Sequence, residues 1–308
     1  MNNRQTDAKE TLDRLLASCL KIPLASGASR TAIPFLAVLK ESGPTLLSHG
    51  VLKPSLCIVL QGRKRLQIGA KEIEYTAGDF LSASIDMPVN GQVTIASSQS
   101  PYIALRIDLT PGEVAAVASE ANLDLRPETG LQPGLFVGKP CLEVLEGFEK
   151  LLRLSLDARA AEYLAPAIKR EIIYRLLDGE EGPLFYKNML LHQDASGIGK
   201  VIDWIKGNFD SPLTIEELAE LGNMSISNLH YKFKEVTSMA PLQYQKRLRL
   251  QEARRLLLDG ANVTETALQV GYQSSTQFSR EYKRLFGLSP LRHIRVTIHE
   301  GGLPPRKG

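Results

Sequence analysis

Between residues 33 and 108 the apolar positions come in short β-prone runs cut by Gly, Pro and Asp: Ile33–Leu39, Ser55–Gln61, Lys64–Ile68, Glu72–Tyr75, Gly91–Ala96 and Tyr102–Ile107. Short strands at close spacing with turn residues between them predict a small sandwich or barrel. Gln61-Gly62-Arg63-Lys64 and Ile68-Gly69-Ala70-Lys71 have the composition of hairpin turns, and Ala77-Gly78-Asp79 precedes a further apolar strand at Phe80-Leu81.

After Thr110-Pro111 the period becomes helical. Glu113–Ala121, Leu142–Leu156 and Tyr163–Leu177 carry apolar residues at i, i+3 and i+4, with a loop at Gly130–Pro140. Leu145, Phe148, Leu151 and Leu152 form one stripe, which either packs on the chain's own β-rich part or pairs with a second copy. Asp178-Gly-Glu-Glu-Gly-Pro183 breaks the third helix, and Gln193–Gly199 has the small, polar composition of a linker. The expected organisation is therefore α+β in two domains. Residues 1–25 form an N-terminal helical arm, 26–190 a β-barrel with flanking helices (strands to about 110, helices 111–180) and 191–198 a linker. Residues 199–296 form an all-α domain, and 297–308 a tail. The length of 308 residues agrees, at about 150 residues per domain.

Charge separates the same two parts. The whole chain carries only +3, but from Gly197 onward 16 Lys and Arg face 11 Asp and Glu, a net of +5, which leaves −2 for residues 1–196. An acidic front and a basic back direct an anionic partner to the second domain.

That second domain contains a repeat. Ser225, Leu229, Phe233 and Lys234 recur as Ser274, Phe278, Tyr282 and Lys283 at a constant offset of 49, and Ala219 recurs as Ala267 at 48. Thr214-x-x-Glu217 and Asn262-x-x-Glu265 are N-cap patterns opening the first helix of each copy. Ser274-x-x-Gln277 is a capping box opening the second helix of the second copy, and Ser225 takes that place in the first. Ala219 and Ala267 let the paired helices approach, and Gly222 and Gly271 supply the turns. This is helix-turn-helix grammar, in which the second helix of each pair enters the DNA major groove. Between the copies, Pro241–Leu258 reads as one helix with Pro at its first turn and Asp259-Gly260 at its end. A strut of that length spans about 27 Å. With the width of the flanking helices added, two recognition helices could sit about 34 Å apart, one duplex turn.

Residues 197–296 resemble the DNA-binding domain of the AraC/XylS family of bacterial transcription regulators. The resemblance is carried by Ala267-x-x-x-Gly271-Tyr272-x-Ser274-x-x-x-Phe278-Ser279-Arg280-x-Tyr282-Lys283-Arg284-x-Phe286-Gly287-x-Ser289-Pro290. The strut adds Pro241-Leu242-x-Tyr244-x-x-x-x-Arg249-Leu250-x-x-Ala253-Arg254-x-Leu256-Leu257. Two positions depart from the family pattern: Ser238 stands where a helix-ending Gly is usual, and Tyr231 where Arg is frequent. Residues 25–185 resemble the cupin-type N-terminal domain of one subgroup, which implies effector binding, dimerisation, or both. The resemblance further implies a transcriptional regulator, with activation favoured, acting as a homodimer on double-stranded promoter DNA with RNA polymerase as a partner.

On the first recognition helix Ile226, Leu229 and Phe233 are expected to face the core, leaving Ser227, Asn228, His230 and Tyr231 for base edges. On the second, Phe278, Tyr282 and Leu285 are core candidates, and Gln273, Ser275, Thr276, Gln277 and Arg280 are readers. Family contacts carry over by position to Ser275, Thr276 and Arg280. A guanidinium at Arg280 suits guanine O6 and N7, and Asn228 suits adenine. Lys232, Lys234, Lys283 and Arg284 are assigned to phosphates, which fix register without reading sequence. Arg247, Arg254 and Arg255 on the strut stay open between DNA contact, pairing with Glu252 and plain solvation.

Enzyme signatures are missing. His49 is the only histidine before residue 192, so the two-histidine metal site of many cupins is not encoded; neither metal nor cofactor is expected. Ser196-Gly-Ile-Gly-Lys200 fails the phosphate-loop pattern at Asp194 and Val201. No H-E-x-x-H or G-x-S-x-G occurs. The alternative is a metal-free cupin-type enzyme or a DNA-repair alkyl acceptor fused to this DNA-binding module. Cys19, Cys57 and Cys141 are unclustered, which suits a reducing cytoplasm. Neither a signal peptide nor an apolar run of 18 residues is present.

Overall fold

A computed structural model describes residues 2–22, 26–125, 133–190 and 197–301. Residues 130–132 of the expected Gly130–Pro140 loop, most of the 191–198 linker and the end of the tail lie outside them; the rest of that loop holds a four-residue strand, Leu135–Gly138, paired with Phe80–Ala83, and a helix, Pro290–Gly301, runs into the expected tail. The chain divides into two units, Met1–Ser48 with Leu52–Gln193, and Asp194–Gly308 with His49–Val51.

The first unit opens with α1 (Asn2–Lys21), followed by nine strands: β1 (Gly27–Arg30), β2 (Leu36–Glu41), β3 (Ser48–Leu52), β4 (Ser55–Gln61), β5 (Arg63–Ile68), β6 (Lys71–Thr76), β7 (Phe80–Ala83), β8 (Met87–Ile95) and β9 (Tyr102–Asp108). Then come α2 (Pro111–Glu120), β10 (Leu135–Gly138), α3 (Leu142–Leu154), α4 (Ala158–Leu177) and α5 (Gly182–Met189). The strands form a six-stranded sheet, β1-β2-β9-β4-β7-β10, and a four-stranded sheet, β3-β8-β5-β6. The cupin-like domain is thus a two-sheet sandwich whose hydrogen bonding does not close into one barrel.

Gly69-Ala70 is a two-residue hairpin joining Ile68 to Lys71. Gly62 is not a hairpin turn. Its neighbours β4 and β5 belong to different sheets, and with φ +86° it is the corner where the chain crosses between them. A Cβ there would lie 2.6 Å from the Ile95 carbonyl oxygen, so only glycine fits.

Period-2 alternation points Leu36, Val38, Leu56, Ile58, Leu60, Ile103, Leu105 and Ile107 to one face of the larger sheet, where they meet Leu15 of α1, Phe148 and Leu151 of α3 and Ile172 of α4. Leu145, Phe148, Leu151 and Leu152 are at most 3% exposed, so the α3 stripe belongs to its own domain's core and is not a face for a second copy. Each such side chain contributes about 1.5–3 kcal/mol through burial. Helix α4 begins five residues before the expected Tyr163, because the Asp157 carboxylate caps the Ala160 amide and an Ala-rich first turn follows. Helix α5 follows the Asp178–Pro183 break, where the sequence predicts no element; Phe185 and Met189, one turn apart, fix it in the core.

Apart from His49–Val51, which belong to β3, the described elements of the second unit are helices: α6 (Ile198–Gly207), α7 (Ile215–Leu221), α8 (Ile226–Thr237), α9 (Pro241–Leu258), α10 (Val263–Gln269), α11 (Ser275–Phe286) and α12 (Pro290–Gly301). The strut α9 is one unbroken 18-residue helix with Pro at its start.

Candidate nucleic-acid interface

Side-chain caps set both helical pairs. Thr214 accepts from the Glu217 amide while the Glu217 carboxylate accepts from the Thr214 amide, a reciprocal box. Asn262 accepts from the amides of Thr264 and Glu265. Ser225 and Ser274 open α8 and α11 by accepting from the Asn228 and Gln277 amides, each at 3.3 Å. Such caps contribute about 1 kcal/mol apiece.

The two turns use different chemistry. Gly271 is left-handed at φ +86°, and a Cβ on it would lie 2.0 Å from the Asp210 carbonyl oxygen. Gly222 is right-handed at φ −81°, and the positive φ of the first turn, 51°, falls on Asn223. Asn is among the few non-glycine residues that tolerate that region. Gly222 is needed instead for space, since a Cβ would lie 2.4 Å from the Met224 methyl and 3.1 Å from Val201.

Helix α8 buries Leu229, Phe233 and Val236, with Phe233 edge-on to Tyr244 of α9 at 5.5 Å. Helix α11 buries Phe278 and Tyr282 against Leu250, Ala253 and Leu257 of the strut and Ala267 of α10. The opposite faces carry the expected readers. Ser227, Asn228, His230 and Tyr231 on α8, and Gln273, Ser275, Thr276, Gln277 and Arg280 on or just before α11, are all exposed. Lys234, Lys283 and Arg284 are exposed too, whereas Lys232 is half-buried and already has a partner.

Two core expectations need correction. Ile226 is 43% exposed, because as the first residue of α8 it precedes the buried stripe. By the 49-residue offset it matches Ser275, which is exposed as well, a relation visible in the sequence. Leu285 is half-buried, at the edge of the cluster around Tyr282.

Arg249 of the strut has a role its place in the motif did not disclose. Its Nε donates to the Phe209 carbonyl, Nη2 to Ser211 at 2.8 Å and Nη1 to Gly271 at 3.0 Å, so one guanidinium ties the α6–α7 connection to the second turn. Beside it the Tyr272 hydroxyl donates to Glu281 at 2.9 Å, and Lys246 pairs with Glu281 at 3.0 Å. Burial works to raise the Glu281 carboxyl, but the hydrogen bonds from Lys246 and Tyr272 outweigh it and hold the group below the usual glutamate range. Burial and the bond to Glu281 push the Tyr272 phenol up. Of the open strut arginines, Arg255 pairs with Glu252 and Asp259 at 2.6 and 2.8 Å, and Arg254 lies over the Phe286 ring. Arg247 is half-buried, and burial lowers its pKa.

Among the described residues no group of three or more His, Cys, Asp or Glu is placed to hold a metal. Cys19 and Cys57 are buried, Cys141 is exposed, and burial pushes the Cys19 thiol up to about 12. No helix of the described residues is long and apolar enough to cross a membrane.

A family model described as AraC-type transcriptional regulator N-terminus matches residues 32–184, and one described as helix-turn-helix domain matches residues 218–295. The HTH-type transcriptional activator RhaS of Escherichia coli strain SE11 is 35% identical over 106 residues, which are 34% of this chain and 38% of RhaS. RhaS of strain K12 / DH10B is 34% identical over the same shares. The matched stretch thus spans well under half the length of these relatives. ToxT of Vibrio cholerae O395, bound to (E)-4-(8-methylnaphthalen-1-yl)but-3-enoic acid, superposes with a TM-score of 0.56 at 11% identity, over 84% of this chain and 97% of ToxT. Unsaturated fatty acid-bound ToxT of strain SCE256 gives 0.55 at 11% identity, over 88% and 97%. At that identity the likeness concerns the fold.

Proposed function

Because the chain is a member of the AraC/XylS family of bacterial transcription regulators, we propose that it binds promoter DNA sequence-specifically through α8 and α11, one in each of two successive major grooves. The observation that carries this reading is the matched register of the two helices. At the 49-residue offset, Ile226, Ser227, Asn228 and Tyr231 correspond to Ser275, Thr276, Gln277 and Arg280, and all eight are exposed. Two helices with the same capped start and the same outward positions suit two reads of one duplex.

In this reading Arg280 takes guanine, Asn228 and Gln277 suit adenine, and Ile226 packs on a thymine methyl. Ser227, His230, Tyr231, Gln273, Ser275 and Thr276 complete the base-facing set. Lys234, Lys283 and Arg284 hold phosphates. Lys232 contributes least, being half-buried. RhaS is an activator, and activation through RNA polymerase by a homodimer is the mode proposed here. Small-molecule control of the β-rich domain is proposed alongside, in line with the ligand-bound ToxT structures.

Footprinting on the DNA beside the protein's own gene tests the reading. The expected result is a salt-sensitive, sequence-specific footprint about two helical turns long per protomer. Protection that is absent, or equal on random DNA, defeats it.

A further inference from the structure

Arg247 differs from the other arginines of the strut. Arg249 is fixed by three carbonyls, Arg255 by Glu252 and Asp259, and Arg254 lies over the Phe286 ring. Arg247 is half-buried, and among the described residues nothing pairs with its guanidinium. It also falls at a position that the AraC/XylS pattern of the strut leaves open. A partly desolvated guanidinium without an acceptor is costly, and it stays charged at every physiological pH.

Arg247 lines a groove of about 540 Å³ between α9 and α11, walled by Lys246, Arg247 and Leu250 on one side and Glu281, Arg284 and Leu285 on the other. Three cations meet one carboxylate there, and Glu281 is already paired with Lys246 at 3.0 Å. That leaves two guanidiniums, since Arg284 is exposed and likewise unpaired among the described residues. The groove begins at Ala240 and Leu242, directly past the Ser238 cap of α8, and its far wall carries Arg284, one turn beyond Arg280 on α11. It therefore lies between the end of α8 and the flank of α11. A duplex that offers successive major grooves to these two helices turns the minor groove between them, with the two backbones that border it, toward the segment joining the helices.

Charge is unequal between the two helical pairs. Thr214–Ser238 carries two Lys against four Glu, a net of −2, and Asn262–Gly287 three Lys and Arg against two Glu, a net of +1. The strut, Pro241–Asp259, carries five Lys and Arg against two Asp and Glu, a net of +3. The first pair thus has little with which to hold a polyanion, and the holding falls to the strut and α11.

We propose that this groove seats the DNA backbone between the two major grooves, with its phosphates held by Arg247 and Arg284. The duplex is then anchored on the α9–α11 side, and α8 reads its half-site while adding little to the grip. For the course of the duplex the proposal rests on the DNA-binding reading above.

Fluorescence anisotropy with a duplex from the DNA beside the protein's own gene and a random duplex of equal length, over a range of salt concentrations, tests it. Arg247→Met lowers the salt slope by about 1 on both duplexes. Its unfolding midpoint, followed through Trp204, stays level because no partner is lost. Arg247→Lys, which keeps the charge, restores the slope. Neutral methylphosphonates at the phosphates between the two major-groove sites weaken the parent several-fold and do not weaken Arg247→Met further. An unchanged slope in a folded Arg247→Met variant overturns the proposal, and a groove that serves an acidic peptide instead of DNA gives that result. Methylphosphonates that leave the parent unaffected, or weaken parent and variant alike, overturn it too. A specific footprint with an unchanged slope sinks the groove proposal alone. A slope lowered by about 1 on random DNA, without a specific footprint, sinks the sequence-specific reading alone.

Discussion

Ser238 and Gly287 end α8 and α11 at equivalent points of the repeat, 49 residues apart, and both are left-handed, at φ 59° and 76°. Each donates its amide to the carbonyl four residues back, Lys234 or Lys283, at 2.8 Å. The backbone therefore demands the same conformation of both, although only one is glycine. A non-glycine residue in this region costs about 1–2 kcal/mol, and a new glycine loosens the unfolded chain by about 0.5–1 kcal/mol. Ser238→Gly is expected to stabilise the second unit by about 0.5 kcal/mol. Gly287→Ala should destabilise it by about 1 kcal/mol through backbone conformation alone, because nothing lies within 4 Å of the added Cβ. The single tryptophan, Trp204, lies on α6, so its fluorescence in a denaturant titration reports on this unit. A Ser238→Gly midpoint below that of the parent would contradict the strain argument.

Arg249 is the residue whose conservative replacement should be least tolerated. Its planar fork meets three carbonyls on two separate connections, and a lysine has one ammonium to offer in place of three fixed nitrogens. Arg249→Lys is expected to cost about 2 kcal/mol, from charged hydrogen bonds lost and carbonyls left unsatisfied. Since Gly271 precedes α11, DNA affinity should fall for all sequences alike. A variant that keeps parental stability in the Trp204 assay would show that the fork is dispensable.

Much of the second unit was legible in the sequence because its signals are local. Caps at Thr214, Ser225, Asn262 and Ser274, the Pro241 start of the strut and the 49-residue repeat act within a turn or two of where they are written. Ile226 is the exception: its apolar side chain suits a core position, but it lies outward like its repeat partner Ser275. The first unit was legible as strands but not as sheets. β1 and β10 have four residues each and β3 five, too few for a period to register, and the role of Gly62 depends on β4 pairing with β7 and β9 rather than with β5.

Arg280 and Lys283 should separate reading from holding. Both are exposed on α11, three residues apart, yet Arg280 is the bidentate guanine candidate and Lys283 a phosphate candidate. Arg280→Ala is expected to lower affinity for the preferred site by about 1–3 kcal/mol and to relax discrimination at one base pair. Lys283→Ala should weaken all sequences equally and reduce the salt slope by about 1. Competition binding against a set of single-base variants at two salt concentrations measures both quantities. Equal loss of discrimination in the two variants would remove the distinction.

Glu281 should give the second unit an acid-sensitive step. Its carboxyl, about 10% exposed, accepts from Tyr272 and pairs with Lys246, and these bonds hold its pKa below the ordinary 4.5. A carboxylate with a depressed pKa in the folded state contributes stability above its unfolded value and loses it as the pH falls through the folded one. The contribution is therefore full at neutral pH and starts to fail as the pH drops below about 4.5. Glu281→Gln keeps the shape and a hydrogen-bond acceptor but removes the titrating charge. At neutral pH it should cost on the order of 1–2 kcal/mol, the size of a charge-assisted hydrogen bond exchanged for a neutral one. Below that window the gap between variant and parent should close. Stability curves at pH 7, 5 and 3.5, followed through Trp204, measure the gap directly. A difference that persists unchanged at the lowest pH would mean that Glu281 acts by packing and not by charge.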